Sequence, residues 1–257
     1  MAEPKVCVSL EAITVEEMID EATRANIAGA DYVEVRFDKL YLNKPEPITM
    51  VNDDGEEYSK MPPIEEWGVK DFEEIDVEQA IANLKEGIPV PVVFTTRAVR
   101  EGGFFAGTEQ ERLQILELGI KSEVSFVDLE LSIEKKSRGK LVKLASSSNC
   151  QVIASIHETK ATPSAEEIVT MVRDNSSQGD IVKFCSNVSS HQDALQIFQA
   201  ANSLVGQDST HSLMGLGNGG DWVRLHAPVL EQAIVYATMM NNFRSVSYTH
   251  LRAHETQ

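Results

Sequence analysis

Short apolar, β-branched runs alternate along the chain with longer segments whose apolar residues recur at helical spacing. The helical pattern is clear over 14–28, where Thr14 stands at the N-cap and Glu17 at the capping-box position, and again after Pro163, where Ser164 is the expected cap. Alternation of the two patterns predicts a parallel sheet covered by helices. The runs that predict strands are 6–10, 32–38, 91–97, 126–131, 151–157, 180–185, 212–215 and 233–238.

Eight strand–helix units are typical of a closed (β/α)8 barrel, also called a TIM barrel. An open doubly wound sheet is the alternative, but it usually carries a glycine-rich first turn, and none follows Leu10. The segment 41–76 interrupts the rhythm with turn formers and carboxylates such as Asp53, Asp54 and Gly55. We expect an acidic surface excursion there, favoured over a lid, within one barrel domain over 1–245.

Composition narrows the classes of function. The chain has 257 residues and a formal net charge of −17, so it lacks the basic surface that binding to nucleic acid requires. No apolar stretch approaches the ~20 residues of a membrane span, and no signal peptide precedes the first strand. Cys7, Cys150 and Cys185 lie in apolar runs without metal-ligand spacing, which indicates buried thiols in a reducing compartment. We therefore expect a soluble, cytoplasmic protein that binds no membrane.

Lys183 is the most informative single residue, because it stands near the end of an apolar run with little beside it in sequence to neutralise an ammonium. Burial lowers the pKa of a lysine and favours the free amine. A free amine attacks ketones and forms a Schiff base that acts as an electron sink. The alternative is a lysine at a strand end whose ammonium reaches solvent.

Polar residues stand at the ends of most of the other predicted strands, where TIM barrels carry their chemistry. Taken singly, each of these residues could have a purely structural role, as an ion pair on an edge strand, a core histidine or a carboxylate that binds backbone amides. Their coincidence at successive strand ends predicts a polar ligand site, and neither a phosphate loop nor a metal-ligand pattern accompanies them. The residues are Ser9, Glu34, Arg36, Arg97, Asp128, Glu130, Ser155, His157 and Lys183.

The chain resembles the type I 3-dehydroquinate dehydratases of the shikimate pathway, which are lyases that act through a Schiff base. The resemblance spans residues 5 to about 238, and its motifs occur in the family's order. The stretches that carry it are Val8-Ser9-Leu10, Asp31-Tyr32-Val33-Glu34-Val35-Arg36-Phe37-Asp38, Thr95-Thr96-Arg97 with Glu101-Gly102-Gly103, Asp128-Leu129-Glu130, Ser155-Ile156-His157 before Thr162-Pro163-Ser164, and Asp180-Ile181-Val182-Lys183.

The resemblance implies a role for each matched residue and no cofactor. Lys183 would form the imine with the C3 ketone of 3-dehydroquinate, His157 would move the protons, and Glu101 would orient His157. Ser9, Glu34, Arg36 and Arg97 would contact the substrate. Arg224 would bind its carboxylate, although this chain has a longer turn before the arginine than the family usually has and lacks the preceding serine.

Three alternatives and one boundary stay open from the sequence. The chain could be another Schiff-base barrel such as a class I aldolase, or a truncated relative without activity. A homodimer is also open, since the family is often dimeric. The segment 246–257 resembles translated sequencing adapter rather than native protein, so we expect a barrel that lacks its last helix. Ile234, Tyr236 and Val8 would then face water on the outer sides of their strands.

Overall fold

The computed structural model describes residues 3–52, 54–217 and 219–239 of the chain. Its main sheet has eight parallel strands: the first seven pair with one another in chain order, and the eighth pairs with the first. The gap between the seventh and eighth strands is bridged by the amide of Ala233, which donates to His211 O at 2.8 Å. The predicted (β/α)8 barrel is confirmed. Its strands are β1 (Lys5–Ser9), β2 (Tyr32–Arg36), β3 (Val92–Thr95), β4 (Phe126–Glu130), β5 (Gln151–Glu158), β6 (Ile181–Asn187), β7 (His211–Leu216) and β8 (Ile234–Ala237).

Helices follow each of the first seven strands and form the outer layer. Thr14 caps α1 by accepting from Glu17 N at 3.2 Å, and Ser164 caps α5 in a reciprocal capping box with Glu167, so both predicted helix starts are confirmed. None of the helices in the described ranges is long and apolar enough to cross a membrane. The helices are α1 (Val15–Ile27), α2 (Val77–Gly87), α3 (Glu109–Lys121), α4 (Lys135–Ser147), α5 (Ala165–Asp174), α6 (His191–Leu204) and the short α7 (Trp222–Leu225).

Alternation along the strands separates an outer apolar layer from the barrel interior. On β2, Val33 and Val35 pack under the helices, while Tyr32 points inward and meets Phe126 edge-on at 5.3 Å between ring centroids. The interior cluster also contains Ile234 and Tyr236. The expectation that these two residues face outward is therefore wrong: their positions on β8 share the inward side.

The described excursion after β2 begins with a buried 3-10 turn, Phe37–Tyr41, and continues as two short antiparallel pairs. Leu42–Asn43 pairs with Gly68–Val69, and Ile48–Val51 pairs with Glu57–Lys60. Both strands of the second pair are exposed throughout. The excursion leaves the carboxyl end of β2, so it lies on the face of the barrel that carries the polar strand ends. The predicted domain boundary at 245, the segment 246–257 and the missing last helix concern residues outside the described ranges.

Candidate active site

Lys183 lies inside the barrel on β6 between two carboxylates. Its Nζ is 2.9 Å from Asp128 Oδ2 on β4 and 3.6 Å from Glu34 Oε1 on β2, and it stands 4.5 Å from the ring centroid of Tyr236. Only 5% of the residue is exposed. Burial lowers its pKa, but Asp128 and then Glu34 outweigh burial and raise the pKa above the ordinary value. The expectation of a free amine produced by burial alone is wrong, because the neighbours across the barrel reverse the sign.

Asp128 is the centre of the network around the lysine. Its Oδ2 accepts from Arg97 Nη2 at 2.8 Å as well as from Lys183, and its Oδ1 accepts from Ser155 Oγ at 2.5 Å. Burial opposes ionisation here, but Arg97 and then Lys183 hold the pKa of this carboxyl well below its usual range. Asp128 is therefore a fully ionised counter-charge at neutral pH.

Glu34 is the second counter-charge and is held by two hydroxyls. Ser9 Oγ donates to its Oε2 at 2.6 Å, and Thr95 Oγ1 donates to its Oε1 at 2.9 Å. Burial raises its pKa, whereas Lys183 and Arg36 lower it, and the balance places the pKa at about 2. The structure thus brings Ser9 and Glu34 together with the lysine, as the order of the strand ends predicted.

His157 is held by Glu101 at the end of β5. Its Nδ1 lies 2.9 Å from Glu101 Oε2, and Ser132 Oγ also donates to that carboxylate. Burial and then Arg97 lower the pKa of His157 to about 4, and the bond to Glu101 opposes them. The imidazole is therefore neutral at pH 7 and can accept a proton.

The two glycines after Glu101 place that carboxylate. Gly102 adopts a left-handed φ of 77° that ends the 3-10 turn Val99–Glu101. A Cβ on Gly103 would lie 2.2 Å from Arg97 O, so only glycine fits. The motif Glu101-Gly102-Gly103 thus folds the loop after β3 back beneath Arg97 and towards His157.

Arg36 is engaged by a residue to which the sequence analysis gave no role. Its Nε and Nη2 form a bidentate pair with Asp38 at 3.0 and 2.7 Å. Asp38 is fully buried and also accepts from Phe104 N at 3.1 Å. The spacing Arg36-x-Asp38 was the signal that could have revealed this pair. Arg36 is therefore paired with Asp38, while Glu34, two residues away, faces the lysine.

Arg224 on α7 is a buried arginine at this face, and two of its guanidinium nitrogens lack hydrogen-bond partners among the described residues. It is 5% exposed, and its Nε and Nη2 make no hydrogen bond. Burial lowers its pKa, and only Cys185 and Asp221 oppose this. An unpaired, buried guanidinium is a ready site for an anion. The described residues contain no group of side chains suited to hold a metal ion.

Known proteins similar to this chain carry the name 3-dehydroquinate dehydratase. A 3-dehydroquinate dehydratase from Methanosarcina acetivorans is 26% identical over 234 residues, which cover 90% of this chain and 85% of the relative. The enzyme of the same name from Methanocaldococcus jannaschii is 32% identical over 166 residues, covering 64% and 70%.

Solved structures share the fold at lower identity. The type I 3-dehydroquinate dehydratase from Clostridium difficile superposes with a TM-score of 0.78 at 22% identity, covering 98% of this chain and 91% of that one. The 3-dehydroquinate dehydratase from Geobacillus kaustophilus gives 0.76 at 20%, covering 98% and 89%. The family described as "Type I 3-dehydroquinase" matches residues 6–252. The chain belongs to the type I 3-dehydroquinase family.

Proposed function

We propose that this protein converts 3-dehydroquinate to 3-dehydroshikimate and water through an imine on Lys183. The observation that carries the proposal is the position of Lys183, a buried amine on β6 flanked by Asp128 and Glu34. Membership of the family and the names of the relatives supply the substrate.

The reaction begins when Lys183 loses a proton and its Nζ attacks the C3 ketone of the substrate. The proton that Lys183 loses and a second proton from the attacking nitrogen pass to the ketone oxygen, so the carbinolamine releases that oxygen as water and leaves a protonated imine. His157, neutral at pH 7 because its pKa is about 4, removes a proton from C2, and the electron pair moves into the iminium to give an enamine. The enamine expels the C1 hydroxyl, which leaves as water with the proton from His157. Hydrolysis of the imine consumes one water and restores Lys183.

Arg224 and Arg97 have different electrostatic roles. Arg224 binds the carboxylate of the substrate, since its Nε and Nη2 are buried and unpaired in the described structure. Arg97 is already committed to Asp128 and Glu130, at 2.8 Å each, so its role is to hold those carboxylates beside the lysine. Glu101 fixes the tautomer of His157 through Nδ1, which leaves Nε2 for the proton transfer.

Reductive trapping tests the proposal. Borohydride added with 3-dehydroquinate should attach the substrate to the peptide that contains Lys183, and Lys183→Ala should lose both the adduct and nearly all turnover. Lys143→Ala, on the outer helix α4, is the matched control and should behave as wild type. An adduct on another lysine, or a turnover in Lys183→Ala above about a tenth of wild type, would contradict imine catalysis at this residue. Cleavage of a sugar phosphate in place of dehydration would favour an aldolase, and trapping without turnover would favour an inactive relative.

A further inference from the structure

A row of alternating charges runs from the surface of the barrel to the reactive lysine. It begins at Glu109 on α3, which also pairs with the exposed Arg100 at 3.1 Å. Along the row, the successive charged groups lie 2.8, 2.8, 2.8, 2.8 and 2.9 Å apart. In order, the members of the row are Glu109, Arg112, Glu130, Arg97, Asp128 and Lys183.

Arg112 is the one cation of the row to which the reaction itself gives no role. It belongs to α3, outside the barrel wall, and only 1% of it is exposed. Its Nη1 donates to Glu130 Oε2 at 2.8 Å and to Thr96 O at 3.0 Å, while its Nε and Nη2 bind Glu109. A buried ion pair often stabilises a fold no better than well-packed apolar residues would. Stability alone therefore does not explain why Arg112 is paired with Glu130, and the contact indicates an electrostatic role for Arg112.

The role follows from how the carboxylates share their donors. Glu130 accepts a hydrogen bond from Arg112 at Oε2, and its Oε1 forms an ion pair with Arg97 at 2.8 Å without a hydrogen bond. Arg97 in turn uses Nη2 for Asp128 Oδ2, and that same oxygen accepts from Lys183 Nζ. We propose that Arg112 is a positioning residue for the imine chemistry: by occupying Glu130 it leaves Arg97 free to neutralise Asp128, and so it limits how tightly Asp128 holds Lys183 as an ammonium. This inference rests on the proposed function of Lys183.

The network predicts shifts of opposite sign for two substitutions. In Arg112→Met, Glu130 keeps only Arg97 and draws it away from Asp128, which then pairs more strongly with Lys183 and raises the lysine pKa. In Glu130→Gln, Arg97 keeps Asp128 as its only anionic partner in the row. Asp128 then attracts the Lys183 ammonium less strongly, and the lysine pKa falls. A purely structural role for Arg112 predicts no such opposition.

Neither substitution alters a group that faces the lysine directly. The titratable and charged side chains around Lys183 come from seven strands or strand ends: Cys7, Glu34, Arg97, Asp128, His157, Cys185 and Tyr236.

Arg138 supplies a matched control on α4. It is 5% exposed and lies close enough to Asp128 and Glu130 to interact with both electrostatically. Its hydrogen bonds, however, go to Leu129 O and to Gln178, so it is a buried cation near the row without being part of it. Arg138→Met removes the same charge as Arg112→Met and spares every ion pair of the row.

The test is the pKa of Lys183, measured without substrate from the pH dependence of its labelling by acetic anhydride and peptide mass spectrometry. Arg112→Met should raise that pKa by about half a unit or more and Glu130→Gln should lower it, given the shifts of about 1–3 units that directly neighbouring charges cause. Arg138→Met should move it by less than half as much as Arg112→Met. Arg112→Lys, which keeps the charge but not the fork, should shift it upward by a smaller amount and serves if the methionine variant does not fold.

Shifts of the same sign in the two variants, or equal shifts in Arg112→Met and Arg138→Met, would overturn the proposal. The acidic limb of kcat/KM for 3-dehydroquinate should move with the lysine pKa. Because the labelling needs no substrate, a protein that shows the opposite shifts but no dehydration would contradict the proposed function and leave the electrostatic row intact.

Discussion

Replacing Asp128 by asparagine tests the network at its centre, since the amide keeps the shape of the side chain and removes its charge. The wild-type carboxylate receives Lys183 at 2.9 Å, Arg97 at 2.8 Å and Ser155 at 2.5 Å. In Asp128→Asn both cations stay buried and lose an anionic partner. We expect the free energy of unfolding to fall substantially.

The size of the loss follows from what each cation retains. Removing one partner of a buried ion pair typically costs about 3–5 kcal/mol. Arg97 still has Glu130 at 2.8 Å, and Lys183 still has Glu34 at 3.6 Å. We therefore expect the lower end, about 3 kcal/mol, against a total stability of about 5–15 kcal/mol. The variant should fold but unfold at a clearly lower urea concentration.

A double-mutant cycle isolates the pair. Lys183→Met leaves Asp128 bonded to Arg97 and Ser155, so it should cost less than Asp128→Asn, about 1–3 kcal/mol. The double variant should cost less than the sum of the two by about 1–3 kcal/mol, which is typical of residues in one ion-pair network. Urea unfolding followed by the fluorescence of Trp67 and Trp222 measures all four proteins. Additivity within about 0.5 kcal/mol would show that Asp128 and Lys183 are not coupled and would refute the reasoning.

The pH dependence of the same variant has a defined sign. The pKa of Asp128 is lower in the folded protein than its usual value, so the unfolded chain takes up the proton first. The stability that this carboxylate contributes is complete above about pH 4 and is lost as the pH falls below the unfolded pKa of about 3.9. The gap in stability between wild type and Asp128→Asn should therefore narrow below pH 4.

Three further outcomes follow from the site. His157→Ala should reduce kcat by about 10²–10⁴-fold in single-turnover assays. The pKa of His157 is about 4 in the folded protein, so the unfolded chain takes up this proton first and the free energy of unfolding of wild type falls as the pH drops from 6.5 towards 4. The same fall should be smaller in His157→Ala, which lacks the imidazole. Arg36→Lys should lower kcat/KM, because an ammonium cannot reproduce the two bonds to Asp38, and an unchanged value would assign the pair to structure. Arg224→Met should raise KM far more than it lowers kcat if the arginine binds a carboxylate, and equal effects on both would contradict that role.

The sequence predicted the barrel well because the relevant signals are local. Strand period, helix caps and the polar strand ends each lie within a few residues, and the bounds differ by only one or two positions, as with 180–185 against Ile181–Asn187. The strand pair Ile48–Val51 with Glu57–Lys60 in the excursion was not predicted. Neither strand has a buried face that would impose an alternation of apolar and polar residues. Their pairing depends on the turn between them and not on burial.

The protonation state of Lys183 could not be predicted from local sequence signals. Burial alone predicts a free amine at Lys183, but the deciding partner, Asp128, is 55 residues away in sequence. Both residues were recognised at strand ends. What sequence does not give is which inward side chains meet across the interior, because that depends on the register and tilt of the whole barrel. The contact of Tyr236 with Lys183 was missed for the same reason. The pair of Arg36 with Asp38 is different, because Asp38 lies only two residues along the chain and its local spacing was overlooked.

A lysine held as an ammonium is consistent with imine chemistry when the whole reaction is considered. The amine must lose a proton to attack, and a raised pKa slows that step. The protonated imine, however, carries its positive charge on the same nitrogen, which in this structure lies 2.9 Å from Asp128 Oδ2 and 3.6 Å from Glu34 Oε1. The carboxylates that stabilise the ammonium therefore also stabilise the iminium, which is the form that withdraws electrons from C2. Preorganised anions thus favour the reactive cation once it forms, and the row through Arg112 moderates how strongly they oppose its formation.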